Sequence, residues 1–222
     1  MKALAERFAG WVFGFQDEVW FSRLAQPALH AWTQGEALRL HTKGRDTKGR
    51  DTKGRDTKGR DTKGKGAPTP SEKVVEPEAL ACYGLLRADT QAMMLRFVAG
   101  RPVSGVTIEF LEWLTTTLAQ EGHRVLVMVW DNARWHTSRA VKEWVKAHNR
   151  RLKKQEQRGE KAGCRLLVCP LPVKSPWLNA IEPKWVHGKK NIVEPERKLS
   201  SAEVRQRLCD YYKTTLLPCI QQ

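Results

Sequence analysis

The stretch VLVMVW, Val125 to Trp130, is apolar at every position, and Asp131 follows it directly. Alternating polarity would mark a strand with one wet face, whereas an unbroken Val-rich run of this length marks a strand covered on both sides. Leu166 to Leu171 (LLVCPL) reads the same way. Between the two, Val141, Trp144, Val145 and His148 recur at i, i+3, i+4 and i+7 after Ser138, the stripe of a helix lying on a sheet. That helix runs into the charged stretch Arg150 to Lys161, which has to be exposed. Upstream, Ser104 caps a helix reaching about Gln120, with Leu111, Leu114 and Leu118 on one stripe and Gly122 just past its end.

Further out the pattern shortens. Trp11 to Gln16 (WVFGFQ) reads as a strand, and Ala81 to Leu86 and Ala92 to Val98 flank the polar turn Arg87 to Thr90 as a hairpin does. Ser200 and Glu203 form a capping box before Val204, Leu208, Tyr211 and Tyr212. The order is a strand, a hairpin, then α-β-α-β-α-α, which predicts an α/β domain with a mixed sheet flanked by helices.

A chain of 222 residues with 41% hydrophobic residues can bury a core, so wholesale disorder is excluded. Its longest apolar run is six residues, too few to cross a bilayer, and the patch Phe8 to Phe15 meets Asp17 and Glu18 instead of a small-residue cleavage site. Five cysteines at irregular spacing, with no CxxC pair, indicate neither a disulfide framework nor a zinc knuckle. The expectation is a reduced, cytoplasmic protein. The net charge of +15 points to a polyanion as partner, most often nucleic acid. Residues 132 to 222 carry +12 of it and residues 42 to 66 carry +6, against −3 on residues 67 to 131.

Residues 42 to 66 are four TKGRD units and a closing TKGKG, without one apolar side chain. Nothing there can be buried, and five residues is the period of no solenoid. The segment reads as a flexible linker spanning roughly 30 Å. A tandem duplication tolerated in a surface loop explains it more simply than a basic arm laid along DNA.

Three acidic residues fall at element ends: Asp17 after the first strand, Asp131 after VLVMVW, and Glu182 where a helix begins after the turn SPWLN. Active sites of α/β sheets gather at the carboxyl ends of strands. Three carboxylates make an all-oxygen site suited to Mg²⁺ or Mn²⁺, and two such ions can drive in-line displacement at a phosphodiester. Each has a plainer explanation: Asp is common at strand ends, and Asn179 with Glu182 has the spacing of a helix N-cap and its N3 partner.

The strings FQDEVWFSRLAQP (15 to 27), CYG (82 to 84), RFVAGRPVS (96 to 104), VWDNARWHTSRAV (129 to 141) and LPVKSPWLNAIEPKWVHGKK (171 to 190) together resemble bacterial insertion-sequence transposases related to mariner elements, in the DDE superfamily and the insertion-sequence group numbered six-thirty. DNxxxH after a strand and SPxLNxIE before a helix are the most specific pieces, and the resemblance covers nearly the whole chain except residues 42 to 76. It implies a ribonuclease-H-like catalytic domain over residues 1 to 222, interrupted by the repeat. It also implies Asp17, Asp131 and Glu182 as catalytic, metal-holding acids for two Mg²⁺ or Mn²⁺ ions, and phosphodiester hydrolysis and strand transfer at transposon ends. The partners implied are terminal inverted repeats and target DNA, reached in the nucleoid, with a homodimer left open and no membrane.

Asn132, His136 and Asn179 fit the family strings and are candidates for orienting the metal ligands or a phosphate; His136 reads equally as a helix-start hydrogen-bonding group. Lys174, Lys184, Lys189 and Lys190 surround Glu182 in sequence and are candidates for phosphate contact, with an ordinary solvated helix face as the alternative. Trp135, Trp177 and Trp185 flank the acids and are candidates for DNA contact, whereas Trp11, Trp113, Trp130 and Trp144 fall on core-facing patterns. Three features depart from the family. Asp131 and Glu182 stand 51 positions apart, longer than usual, with the Arg150 to Lys161 stretch as the simplest source of the excess. The repeat occupies a connection between early strands. Only sixteen residues precede Asp17, so the helix-turn-helix region that reads transposon ends is expected to be absent. The functional alternatives are a truncated, inactive remnant that binds DNA non-specifically through its charge, and an unrelated ribonuclease-H-like nuclease, which leaves SPWLNAIEPKW unexplained.

Overall fold

A computed structural model describes residues 8–24, 30–32, 37–39, 76–160, 163–173, 175–193 and 197–222. The TKGRD repeat lies outside the described residues. The chain divides into two units, Gln26–Pro77 and the remainder. In the first, β2 (His30–Trp32) and β3 (Ala37–Arg39) pair antiparallel.

The main unit is built on β1 (Trp11–Ser22), β4 (Ala79–Arg87), β5 (Met93–Ala99), β6 (Val125–Trp130), β7 (Arg165–Pro170) and the short β8 (Ile220–Gln221). They form one six-stranded sheet in the order β7-β6-β1-β4-β5-β8. β7, β6 and β1 run parallel, β4 is antiparallel to both β1 and β5, and β8 is parallel to β5. All six residues of β6 are buried, as the doubly apolar run requires. Leu126, Met128 and Trp130 pack into one core; Val125, Val127 and Val129 pack into another, so successive side chains serve opposite faces.

Among the described residues, four helices cover the sheet: α1 (Ser104–Gln120), α2 (Arg139–Gln157), α3 (Glu182–Ile192) and α4 (Ser201–Tyr212). Leu111, Leu114 and Leu118 of α1 are fully buried with Val141 of α2 against Val12, Tyr83, Leu126 and Leu166. Each buried leucine stabilises by about 1.5–3 kcal/mol. On the other face, Ile181, Trp185 and Ile192 join Val204 and Leu208 of α4 against Val19, Phe21, Leu95 and Phe97. The predicted capping box is present at Ser200 and Glu203. Gly122, the first residue past the cap of α1, adopts φ +90°, a conformation in which glycine has no Cβ to clash.

The sequence-based expectations are corrected at six places. Ser104 does not cap α1: it is the first helical residue, and Val103 holds the N-cap position without a side-chain cap bond. β7 is not covered on both sides: it stands at the edge of the sheet, and Leu167 is 42% exposed. β1 continues past Gln16 to Ser22, because β4 goes on pairing with it after β6 has stopped at Phe15; Asp17 and Glu18 therefore lie inside a strand rather than after one. The charged stretch is mostly helix: α2 continues to Gln157, carried by good helix formers, with Leu152 alone buried between Arg150 and Arg158. Ile181 stands at the N-cap position of α3, whose start has no side-chain cap, so Asn179 does not cap Glu182's helix. β2, β3 and β8, at three residues or fewer, were too short for periodicity to register.

Candidate active site

Asp17 and Asp131 are brought together by strand register. Trp11 to Phe15 of β1 pair in parallel with Val125 to Val129 of β6, and two residues beyond the last pair on each strand stand Asp17 and Asp131. Glu182 arrives from the other side of β1. Asn179 is buried and its Nδ2 donates to the Gln16 carbonyl at 3.0 Å, while Trp185 Nε1 donates to Asp17 Oδ2 at 3.1 Å. These bonds hold the segment before α3 and its first turn against β1, with Glu182 between them in sequence. Pro183 in that first turn has no amide hydrogen to lose and pre-sets the helical φ.

Burial and neighbouring charge act together on Asp17. The Asp17 carboxyl is pushed well above the ordinary carboxylate range, first by burial and then by the charges of Glu18, Glu182 and Asp131. For Asp131, burial works upward, but a hydrogen bond from His136 and one from the Ala133 amide at 2.9 Å outweigh it and hold its carboxyl low. Lys189, two turns along α3 from Glu182, is half-buried; burial lowers its pKa, opposed by the charges of Glu182 and Asp17. Among the described residues, no three His, Cys, Asp or Glu side chains stand close enough to form a ready-made metal cluster. The donor set is all oxygen, and its central carboxyl, Asp17, is buried beside negative neighbours, so the chemistry fits a hard divalent cation.

His136 is fully buried at its side chain and stacks on Trp130, with ring centroids 4.4 Å apart and 9° between the planes. Its Nδ1 lies 2.8 Å from Asp131 Oδ1 and its Nε2 lies 2.6 Å from Glu18 Oε1. Glu18 is itself buried, 6% exposed at its side chain, and accepts from Gln16 Nε2 at 2.9 Å. With a carboxylate on either side, the imidazole is pushed up to about 10 against the opposing effect of its own burial.

The other predicted residues separate. Asn132 is exposed and donates to the Leu171 carbonyl at 2.6 Å, tying the loops after β6 and β7. Lys174 lies outside the described residues. Lys184 is half-buried, its carbonyl accepting from Tyr212 Oη at 2.6 Å, and Lys190 is exposed. Trp177 is 75% exposed and stays available to a ligand, and Trp135 is half-buried. Trp185 is not available: it is 2% exposed, edge-on to Phe21 and Tyr212, and its role is to hold Asp17.

Residues 40 to 204, about three quarters of the chain, match the family model described as DDE superfamily endonuclease. The chain belongs to the DDE superfamily endonucleases. The match contains Asp131 and Glu182 and begins after Asp17. No curated protein matches the sequence. Among solved structures, the chain is similar to the Mos1 transposase paired-end complex with left transposon end, at 14% identity and TM-score 0.55, covering 96% of this chain and 52% of that one. It is similar also to the Mos1 mariner paired end complex with Mn (15% identity, TM-score 0.53, 96% and 53%) and to a pre-cleavage Mos1 transpososome (13%, 0.53, 96% and 53%). The likeness shows the fold, a ribonuclease-H-like mixed sheet, and the chain spans about half the length of the structures it matches.

Sequence reasoning passed over Glu18, Gln16 and Gly84. The signal for Glu18 was present: two adjacent carboxyl groups in WVFGFQDEVWF, a run whose one other polar residue is Gln16, put one on each face of the strand, and each then needs a partner. Gly84 pairs with Asp17 across β1 and β4 and lies against the Trp185 ring, a contact no local pattern encodes.

Proposed function

We propose that this chain is the catalytic domain of a transposase of the insertion-sequence group numbered six-thirty, cutting and joining phosphodiesters at transposon ends. The domain runs over residues 1 to 222, with residues 42 to 66 as a linker. Asp17, Asp131 and Glu182 would hold Mg²⁺ or Mn²⁺. When bound, a pair of such ions supplies stabilisation of the attacking and leaving oxygens of an in-line displacement. The chain's own residues prepare that site. Trp185 Nε1 fixes one oxygen of Asp17, and the Ala133 amide and His136 fix one oxygen of Asp131. Lys189 offers a half-buried cation beside Glu182 and Asp17, where it offsets part of their repulsion.

The observation that supports this reading best is the geometry: the β1–β6 register sets Asp17 level with Asp131, and the Asn179 and Trp185 hydrogen bonds hold the start of α3 on β1, while the Asp17 carboxyl is raised first by burial and then by Glu18, Glu182 and Asp131. The partner is DNA, met through the +12 on residues 132 to 222. The test is nicking and joining of a labelled terminal-repeat duplex with Mg²⁺ or Mn²⁺. Asp17→Asn, Asp131→Asn and Glu182→Gln are each expected to abolish cleavage while far-UV circular dichroism and the melting transition persist. A variant that cuts at the parental rate removes its residue from the assignment.

A further inference from the structure

Glu18 belongs to no part of the metal-holding set, yet its carboxyl group is buried in the sheet and hydrogen-bonded there. Residues 16 and 18 share one face of β1 and Asp17 the other, because side chains alternate along a strand. Asp17 faces Trp185 of α3; Glu18 faces the loop after β6 through His136. The bonds run in one chain: Gln16 Nε2 to Glu18 Oε1 at 2.9 Å, Glu18 Oε1 to His136 Nε2 at 2.6 Å, His136 Nδ1 to Asp131 Oδ1 at 2.8 Å. Carboxylate oxygens accept, so both ring nitrogens donate. The imidazole has no freedom to turn, being pinned at both nitrogens and stacked on Trp130.

Asp131 sits half-exposed just past the end of β6, in a loop, where its own rotamers are otherwise free. Of its two carboxylate oxygens, Oδ1 takes both the His136 and the Ala133 hydrogen bonds, in a side chain that is 50% exposed. We infer that Glu18 is a positioning residue for the metal site: acting through His136, it locks the carboxylate of Asp131 in one orientation and assigns Oδ1 to the protein and Oδ2 to a divalent cation. This deepens the reading given under Proposed function and rests on it. Partners of this kind, one shell out from a metal ligand, are worth about 10- to 100-fold in metal affinity.

The test is Mn²⁺ binding to the full chain, followed by the electron paramagnetic resonance signal of free Mn²⁺, with nicking measured across the same Mn²⁺ series. Glu18→Gln is isosteric and keeps an oxygen that can accept from Gln16 and His136, so the fold is expected to survive. Glu18→Gln and His136→Gln should each weaken Mn²⁺ binding by about 10- to 100-fold. At saturating Mn²⁺ their nicking rate should return to within a few-fold of the parent, since the ligands themselves remain. The double variant should lose no more than the worse single, because the two residues act as one unit. Equal Mn²⁺ affinity in parent and Glu18→Gln, or losses that multiply in the double variant, would overturn the inference and leave the proposed function standing. Parental binding unaltered by Asp131→Asn would instead overturn the proposed function, and this inference with it. A rate depressed equally at all Mn²⁺ concentrations, with a lowered melting temperature, would mark Glu18 as structural only and also refute it.

Discussion

Gly84→Ala tests whether the site depends on how closely β4 approaches α3. Gly84 lies opposite Asp17 in the antiparallel β1–β4 pair, and the Trp185 ring covers it. A Cβ placed there falls 2.5 Å from Trp185 Cζ2, nearer still to Cη2, and 3.3 Å from Ile181 Cδ1. Carbon atoms pack at about 3.5–4.0 Å, so the ring has to retreat by roughly 1 Å. It cannot do so freely, because Phe21 and Tyr212 hold its edges with centroids 5.9 Å away on each side. Overpacking of this kind costs about 1–3 kcal/mol, or a fall of roughly 2–12 °C in melting temperature for a domain of this size. The larger effect falls on activity. Trp185 carries the hydrogen bond to Asp17 and sits one turn from Glu182 on α3, so a shift of about 1 Å displaces two of the three acids and is expected to reduce cleavage by on the order of 100-fold. The assays are thermal melting and metal-dependent nicking of Gly84→Ala, Trp185→Phe and the double variant. Because the smaller ring makes room for the methyl, the double variant should be more stable than the two single effects predict together. Parental stability and cleavage in Gly84→Ala would refute the close-approach reasoning, and strict additivity would refute the assignment of the clash to Trp185.

Three further predictions follow from the site, the charge and the repeat. Asp17's carboxyl is raised in the folded protein, so the metal-free fold binds more protons than the unfolded chain above the ordinary carboxylate range, and its stability falls as pH rises through that range; Asp17→Asn should flatten this decline and erase the rise in melting temperature that Mn²⁺ gives the parent, as differential scanning fluorimetry from pH 4 to 8 would show. The exposed cations Arg150, Arg151, Lys154 and Arg158 line one face of α2 and its end, so changing all four to Gln should weaken duplex binding at low salt without regard to sequence and reduce the slope of log affinity against log salt by up to about 4, an unchanged slope excluding this face. Residues 42 to 66 hold no apolar side chain, and replacing them with a short Gly-Ser link should leave the melting temperature and cleavage at parental values, since halving a loop is worth only about 0.6 kcal/mol; a large drop in melting temperature would show that the segment packs.

The extent of α1, the whole of β6, the β4–β5 hairpin and the capping box of α4 were legible in the sequence because each is decided by local physics: periodic burial, an unbroken apolar run, a turn, a reciprocal cap. The three candidate acids could be named from the strings around them, but naming them did not place them. Only the parallel register of β1 with β6 sets Asp17 level with Asp131, and only the Asn179 and Trp185 hydrogen bonds draw the start of α3 onto β1. Asn179 shows the limit most directly: its spacing to Glu182 is that of a cap, yet its amide is taken by the Gln16 carbonyl, 163 residues away in sequence. Glu18 shows the same limit, since the hydrogen-bond partner of its buried side chain is a histidine 118 residues further on. Local interactions act within a turn or two and are written in residue spacing. The partners that orient Asp17 and Asp131 are long-range, and long-range partners exist only once the sheet has closed.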